Sequence, residues 1–327
     1  LDFANDAEAM SVKVMRAQNG VPQAGIVRAL DQKGTPLGES PFALNPDHVE
    51  TSATFALPTE IRNDIARLEI AGMRSAGAVQ LLDKRWRRRA VGIASGAAND
   101  NAQPLLAPAY YLTRALAPFA DIRPMPRGSM AAALDDFLTQ KLPMIVLADV
   151  GTLPPETEER LSEWIAQGGV LVRFAGPRLA ASNDDLVPVK LRRGGRNLGG
   201  ALTWEKPQPL ATFSADGPFA SLPVPTDVTV SRQVLAEPDE GLSRRTWASL
   251  ADGTPLVTGE RRGKGVIALF HVSADTRWSD LPLSGAFVEM LRRILDYASY
   301  VQPGAGDTGA KSNETAPPLR LIDGFGL

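Results

Sequence analysis

Residues Leu142 to Arg178 read LPMIVLADVGTLPPETEERLSEWIAQGGVLVRFAGPR, and this stretch decides the fold. Met144-Ile145-Val146-Leu147-Ala148 is the most apolar run of the chain, as expected of a central parallel strand covered on both faces. Pro154 and Pro155 suit the first turn of a helix, where a missing N–H loses no partner. Leu161, Trp164 and Ile165 recur at helical spacing and predict the buried stripe. Gly168 supplies a stop at positive φ, and Val170-Leu171-Val172-Arg173-Phe174 follows as the next parallel strand. Strand, helix and strand in this order imply a right-handed crossover and an open parallel sheet.

The alternation extends in both directions. Ala90-Val91-Gly92-Ile93-Ala94 is a short apolar strand, and a small and polar loop runs from Ser95 to Gln103. A helix is expected from about Pro104, with Leu112, Leu116 and Phe119 on one side. Asp121-Ile122-Arg123 reads as a second strand, and Ser129 as the N-cap of a helix that turns Leu134, Phe137 and Leu138 inward. Residues 178 to about 250 are richer in Pro, Gly and Arg and read as a long insertion, with strands at Val228–Val230 and Arg245–Leu250. Pro255–Glu260 and Val266–Phe270 predict a hairpin around a Gly-rich turn. Ser284 caps a last helix that buries Phe287, Leu291, Ile294, Leu295 and Ala298.

Residues 1–83 have a different texture, with short runs that alternate apolar and polar residues. Strands are expected at Ser11–Arg16, Gly25–Leu30, Ala53–Leu57, Ala66–Ile70 and Ala78–Leu82, with Asp31–Gly34 as a hairpin loop. Short strands at this spacing suggest a small β-sandwich. Asp83-Lys84-Arg85-Trp86-Arg87-Arg88-Arg89 then sets five cations around one tryptophan. Two readings stand: a solvated connector between domains, or a contact to polyanions or anionic lipid. The expected organisation is therefore a β-sandwich over 1–83, an α/β domain over 84–301 with the insertion at about 178–250, and a linker with the start of a further module over 302–327.

Composition narrows the function classes. Of 327 residues 44% are hydrophobic and 22% charged, which suits a sizeable soluble core. A net charge of −2 gives no global field for nucleic acid. The chain has no cysteine, which excludes disulfides, thiolate metal sites and a cysteine nucleophile. No apolar run reaches the roughly 18 residues of a membrane span. The sequence starts at Leu1 and stops at Leu327 just after a new apolar stretch begins, so both ends read as cut.

Three blocks carry a family likeness: Ala78–Arg89 (AVQLLDKRWRRR), Gly168–Leu179 (GGVLVRFAGPRL) and His271–Gly285 (HVSADTRWSDLPLSG). Together they resemble the middle region of a bacterial membrane-protein family of unknown function. Its members have a Bat-type, aerotolerance-like N-terminal membrane region, a glutamine-amidotransferase-like middle domain and a C-terminal domain of unknown function. The resemblance implies a sheet of class I amidotransferase-like, flavodoxin-like type, and membrane anchoring through helices that precede this region. It also implies a periplasmic location and protein partners in an envelope complex, and it brings no cofactor and no metal.

In working amidotransferases a Cys-x-Gly elbow follows a strand, and a His-x-Glu lies downstream. The resemblance implies Phe174-Ala175-Gly176 at the elbow and His271-Val272-Ser273 at the second motif. The glycine and histidine match, but the nucleophile and carboxylate do not, and a lone imidazole has nothing to activate. His271 then reads as a satisfied buried histidine, a cleft residue or a base. Asp275, Arg277 and Trp278 follow it on the same loop, at the C-terminal edge of the sheet if the preceding strand is parallel, where open α/β folds bind ligands, and Arg173 and Arg178 could reach the same edge. The candidate ligand cleft is thus Arg173, Phe174, Arg178, His271, Asp275 and Trp278, with Arg173 equally readable as a structural ion-pair partner. The rival reading is a hydrolase using His271 and Asp275. Other motifs fail: Arg192–Gly200 lacks the Lys-Ser/Thr of a P-loop, and His48 and His271 fall in different expected domains.

Overall fold

The computed structural model describes residues 1–5, 9–82, 89–96, 107–126, 128–182, 185–192, 201–301 and 324. The chain divides into two compact units, with the boundary between Arg88 and Arg89. The basic run at 83–88 and the Gly-rich segment at 193–200 lie outside the described residues.

The first unit contains β1 (Asp2–Asn5), β2 (Met10–Met15), β3 (Gln23–Leu30), β4 (Pro36–Leu44), β5 (Glu50–Phe55), α1 (Thr59–Asp64), β6 (Arg67–Ile70) and β7 (Val79–Leu81). These strands form two antiparallel sheets, ordered β1-β2-β5 and β4-β3-β6-β7. Period-2 alternation places Met10, Val12 and Val14 of β2 in one apolar cluster with Val27 and Ala29 of β3 and Phe42 and Leu44 of β4. Ala53, Phe55, Ile65 and Leu68 complete that cluster, so both sheets share a single core. Gly324, in the stretch expected to open a further module, accepts a hydrogen bond from the Ala76 N–H at 3.2 Å.

The second unit is built on β8 (Arg89–Ser95), α2 (Pro108–Leu116), β9 (Ala120–Pro124), α3 (Met130–Thr139), β10 (Met144–Ala148), α4 (Pro155–Ala166), β11 (Val170–Phe174) and α5 (Pro177–Ala181). It continues with β12 (Ala201–Phe213), β13 (Thr229–Val234), α6 (Leu242–Arg245), β14 (Thr246–Leu250), β15 (Pro255–Arg262), β16 (Gly265–Phe270) and α7 (Gly285–Val301). Its strands form one nine-stranded sheet, ordered β13-β12-β14-β15-β16-β11-β10-β8-β9. The five strands β9-β8-β10-β11-β16 are parallel. In chain order they run 2-1-3-4-5, one of the common doubly wound arrangements, whose order reverses between β8 and β10.

The expectation of an open parallel sheet needs one correction, because the sheet is mixed. The segment read as an insertion is no separate body: its strands β12, β13 and β14 extend the main sheet antiparallel through β15. The 13-residue β12 was not foreseen, since Pro207 and Pro209 remove two ladder donors. The strand accommodates Pro207 at a register shift between Thr203 and Gln208.

Alternation along each parallel strand divides the core into two layers. Val91, Val146, Val172 and Ala268 face α2 and α7, packing with Leu112, Leu116, Phe287 and Leu291. Ile145, Leu147, Leu171 and Ile267 face α3 and α4, meeting Leu134, Phe137, Leu161 and Ile165. Ser129 caps α3 as expected, accepting from the Ala132 N–H at 3.2 Å. Ser284 caps α7 through the Phe287 N–H at 3.3 Å. Trp164 departs from the expected burial: it is only half-buried, donates its indole N–H to Leu142 O at 3.0 Å, and lies over Gly169. A Cβ at Gly169 would come within 2.2 Å of that indole.

Candidate functional site

Ligand crevices of doubly wound sheets open beyond the C-terminal strand ends where the order reverses, here between β8 and β10. Ser95 ends β8 with Gly96 after it, and Asp149 follows β10 directly, next to the Ala175-Gly176 link between β11 and α5. Asp149 has φ +48°, one of two non-glycine residues at positive φ among the described residues. Such a residue at a strand end is sparsely populated backbone, tolerated best by Asp and Asn.

The Asp149 carboxylate explains why that conformation holds. Its Oδ1 accepts the backbone N–H groups of Arg178 at 2.8 Å and Leu179 at 3.1 Å, which opens α5. Its Oδ2 faces the Arg178 guanidinium at 3.5 Å. The side chain is 8% exposed, and burial pushes its carboxyl pKa up against those N–H bonds and the charges of Arg178 and Arg277. Two glycines make room. A Cβ at Gly176 would sit 2.2 Å from the Asp149 carboxylate carbon, and one at Gly96 would sit 2.1 Å from the Asp149 carbonyl oxygen. Asp149 was not among the residues singled out from the sequence. Its one signal there is an acidic residue set directly after the most apolar strand.

Beyond β16 lies a second carboxylate of similar design. The Asp275 side chain is fully buried. Its Oδ1 accepts from Ser273 Oγ at 2.9 Å and the Arg277 N–H at 3.0 Å, and its Oδ2 accepts from Arg277 Nε at 3.0 Å and Nη2 at 2.5 Å. The Arg277 side chain is 51% exposed, and that of Arg178 is 50% exposed. The edge thus presents two arginines, each held from beneath by a buried aspartate.

Of the six cleft residues expected from the sequence, Arg178 and Asp275 belong to this edge and the other four do not. Phe174 is the last residue of β11, fully buried and stacked on Phe270 with ring centroids 4.4 Å apart. It anchors the core and does not sit in an elbow; the elbow-like backbone belongs to Asp149, one strand away. Arg173 points to the opposite face of β11, where its Nη1 and Nη2 donate to Leu186 O at 3.3 Å and Val150 O at 2.6 Å. Trp278 is buried against Ala175, Leu179 and Leu269.

His271 is also a core residue. Its Nδ1 lies 2.8 Å from Val234 O, which can only accept, so Nδ1 carries the proton. Nε2, 3.0 Å from Thr258 Oγ1, then accepts the threonine hydroxyl. Complete burial pushes the His271 pKa down to about 4, so the ring is neutral at pH 7. With both nitrogens engaged in the interior, the pairing of His271 with Asp275 that the hydrolase reading required is not formed.

No group of three or more His, Cys, Asp or Glu able to hold a metal occurs among the described residues. No helix among them is long and apolar enough to cross a membrane. No family model and no curated protein matches the chain. Similar solved structures include a cytoplasmic protein from Salmonella typhimurium, at 14% identity and TM-score 0.47, covering 64% of this chain and 98% of that one. A ThuA-like protein from Parabacteroides merdae is similar at 18% identity and TM-score 0.44, covering 66% and 91%. A β-galactosidase from Halorubrum lacusprofundi matches at 16% identity and TM-score 0.38, covering 67% of this chain and 31% of its own. Likeness at this level carries no argument about activity.

Proposed function

We propose that this chain is a non-catalytic, amidotransferase-like binding region of a membrane-anchored bacterial protein, with a small β-sandwich before the α/β domain. The single observation that carries the non-catalytic reading is the bonding of Asp149. The residue in the elbow-like conformation spends its carboxylate on the first N–H groups of α5, and the one histidine of the second unit is sealed in the core. The strand order 2-1-3-4-5 and the edge at its reversal support the amidotransferase-like reading of the fold. Anchoring, a periplasmic location and partners in an envelope complex rest on the sequence blocks around Arg85, Arg173 and Asp275.

The test of this reading uses the full-length protein purified from membranes in mild detergent. It is expected to co-purify with a partner at fixed stoichiometry and to release no ammonia from glutamine. Recovery only as a free species, or turnover abolished by Asp149→Asn, would contradict it.

A further inference from the structure

Asn19-Gly20 lies in the loop between β2 and β3 and is the one Asn-Gly step of the chain. Both residues are exposed. A glycine leaves its backbone nitrogen unshielded, so this step is the one most open to attack of that nitrogen on the preceding side-chain amide. The loop is nonetheless tied down. Arg16, half-buried, donates from Nε to His48 O at 3.1 Å, from Nη1 to Val21 O at 2.8 Å, and from Nη2 to Asn45 O at 2.7 Å and Pro46 O at 2.8 Å. Its planar fork thereby joins residues 16–22 to residues 45–49, the loop between β4 and β5. The Gly20 N–H donates to the same Pro46 O at 3.2 Å. The nitrogen that would attack is thus held on a carbonyl that Arg16 fixes.

We propose that Asn19 is a site of spontaneous deamidation and that the Arg16 clamp sets its rate. The Gly20 nitrogen gives up its proton and bonds to the Asn19 Cγ. The Cγ–Nδ2 bond breaks, the amide nitrogen leaves as ammonia, and a cyclic succinimide closes. Water then opens the ring at either carbonyl, to aspartate or to isoaspartate, with no change of oxidation state. Attack requires the Gly20 peptide plane to turn and its N–H to leave Pro46 O, which the Arg16 bonds to Val21 O and Pro46 O resist. Either product adds a negative charge to an exposed loop. The isoaspartate form also lengthens the backbone by a carbon, so the Gly20 bond to Pro46 and the Arg16 bond to Val21 lose their spacing. The site therefore marks the age of the folded chain and loosens the join between the two loops. Each chain releases this ammonia once, with or without glutamine, so the reaction is separate from any glutamine turnover.

The test incubates the purified chain at mildly alkaline pH and digests it with trypsin, which frees Ala17–Arg28. Mass spectrometry follows the amide-to-acid change in that peptide. Asn45, whose successor Pro46 has no N–H to attack, and Asn63 serve as internal references. Asn19 is expected to convert faster than both, to aspartate and isoaspartate, and more slowly in buffer than in urea. Gly20→Ala should remove most of the conversion while fitting the fold, because the nearest neighbour of its Cβ would be Arg16 Nη1 at 3.8 Å. Arg16→Lys keeps the charge and the cleavage site but loses the fork. It should convert about fivefold faster in buffer, the factor that one ordinary hydrogen bond holds back, and at the wild-type rate in urea. Amide protection at Val12 and Val27 distinguishes a released loop from an unfolded first unit. Conversion no faster than at Asn63, or untouched by Gly20→Ala, would overturn the site. Wild type converting as fast in buffer as in urea, or a folded Arg16→Lys chain converting at the wild-type rate, would overturn the clamp.

Discussion

Lowering the pH from 7 to 4 should cost the second unit about 3 kcal/mol through His271 alone. In the folded chain the ring is fully buried and titrates at about 4, whereas the unfolded chain takes its proton near 6.5. Below 6.5 the unfolded state therefore binds a proton that the native state refuses, and stability falls by about 1.4 kcal/mol per pH unit until the native ring titrates as well. The contribution is fully present above pH 6.5 and lost as pH drops through about 4. Asp149 works in the opposite sense, since burial raises its pKa, so the effect must be isolated as a difference between proteins. The assay is urea unfolding from pH 7.5 to 4 for wild type and His271→Asn, followed by tryptophan fluorescence. Four of the five tryptophans, Trp164, Trp204, Trp247 and Trp278, lie in the second unit, so the signal reports mainly on it. The wild-type advantage should be flat above pH 7 and shrink steadily between 6.5 and 4. A difference that stays constant to pH 4.5 would refute the buried, neutral histidine.

Further outcomes follow from the same packing. Asp149→Ala should cost about 1–3 kcal/mol by orphaning the first N–H groups of α5, read as a lower urea midpoint. Gly169→Ala should destabilise by driving a methyl into the Trp164 indole, and much of that loss should vanish in a Trp164→Ala background. Additive losses in that double-mutant cycle would place the indole elsewhere. Phe174→Ala should cost about 3–5 kcal/mol, since the ring stacks on Phe270 and meets Phe287 in the core; a loss below 1 kcal/mol would put it in an open cleft instead. In the full-length protein, alkaline phosphatase fused after Tyr300 should be active if this region is periplasmic. A silent fusion beside a fluorescent cytoplasmic reporter would reverse that location.

What could be read from the sequence was set by how local each signal is. Met144–Ala148 and Val170–Phe174 are continuous apolar runs, and both strands have the expected bounds. Ser129 and Ser284 announce their helices because a cap is a three-residue interaction. β12 gave no such signal, because its pairing depends on distant strands β13 and β14 that override two prolines. The site was harder for the same reason. Phe174 ends one parallel strand and Asp149 directly follows another, and only the tertiary contacts with Gly176, Arg178 and Leu179 reveal that the special backbone is at Asp149. Arg173 and His271 look like site residues in a linear reading because polar groups next to apolar strands are conspicuous. Their partners, the carbonyls of Val150 and Val234 and the hydroxyl of Thr258, come from other elements.

The non-catalytic reading proposed above turns on Asp149 being a structural carboxylate at the edge beyond β10. Ammonia release from glutamine by the purified chain at neutral pH tests it most directly, with Asp149→Asn and His271→Ala measured in parallel. The account predicts a rate equal to the protein-free background for all three proteins. Release above background by the wild type that disappears in either variant would contradict it.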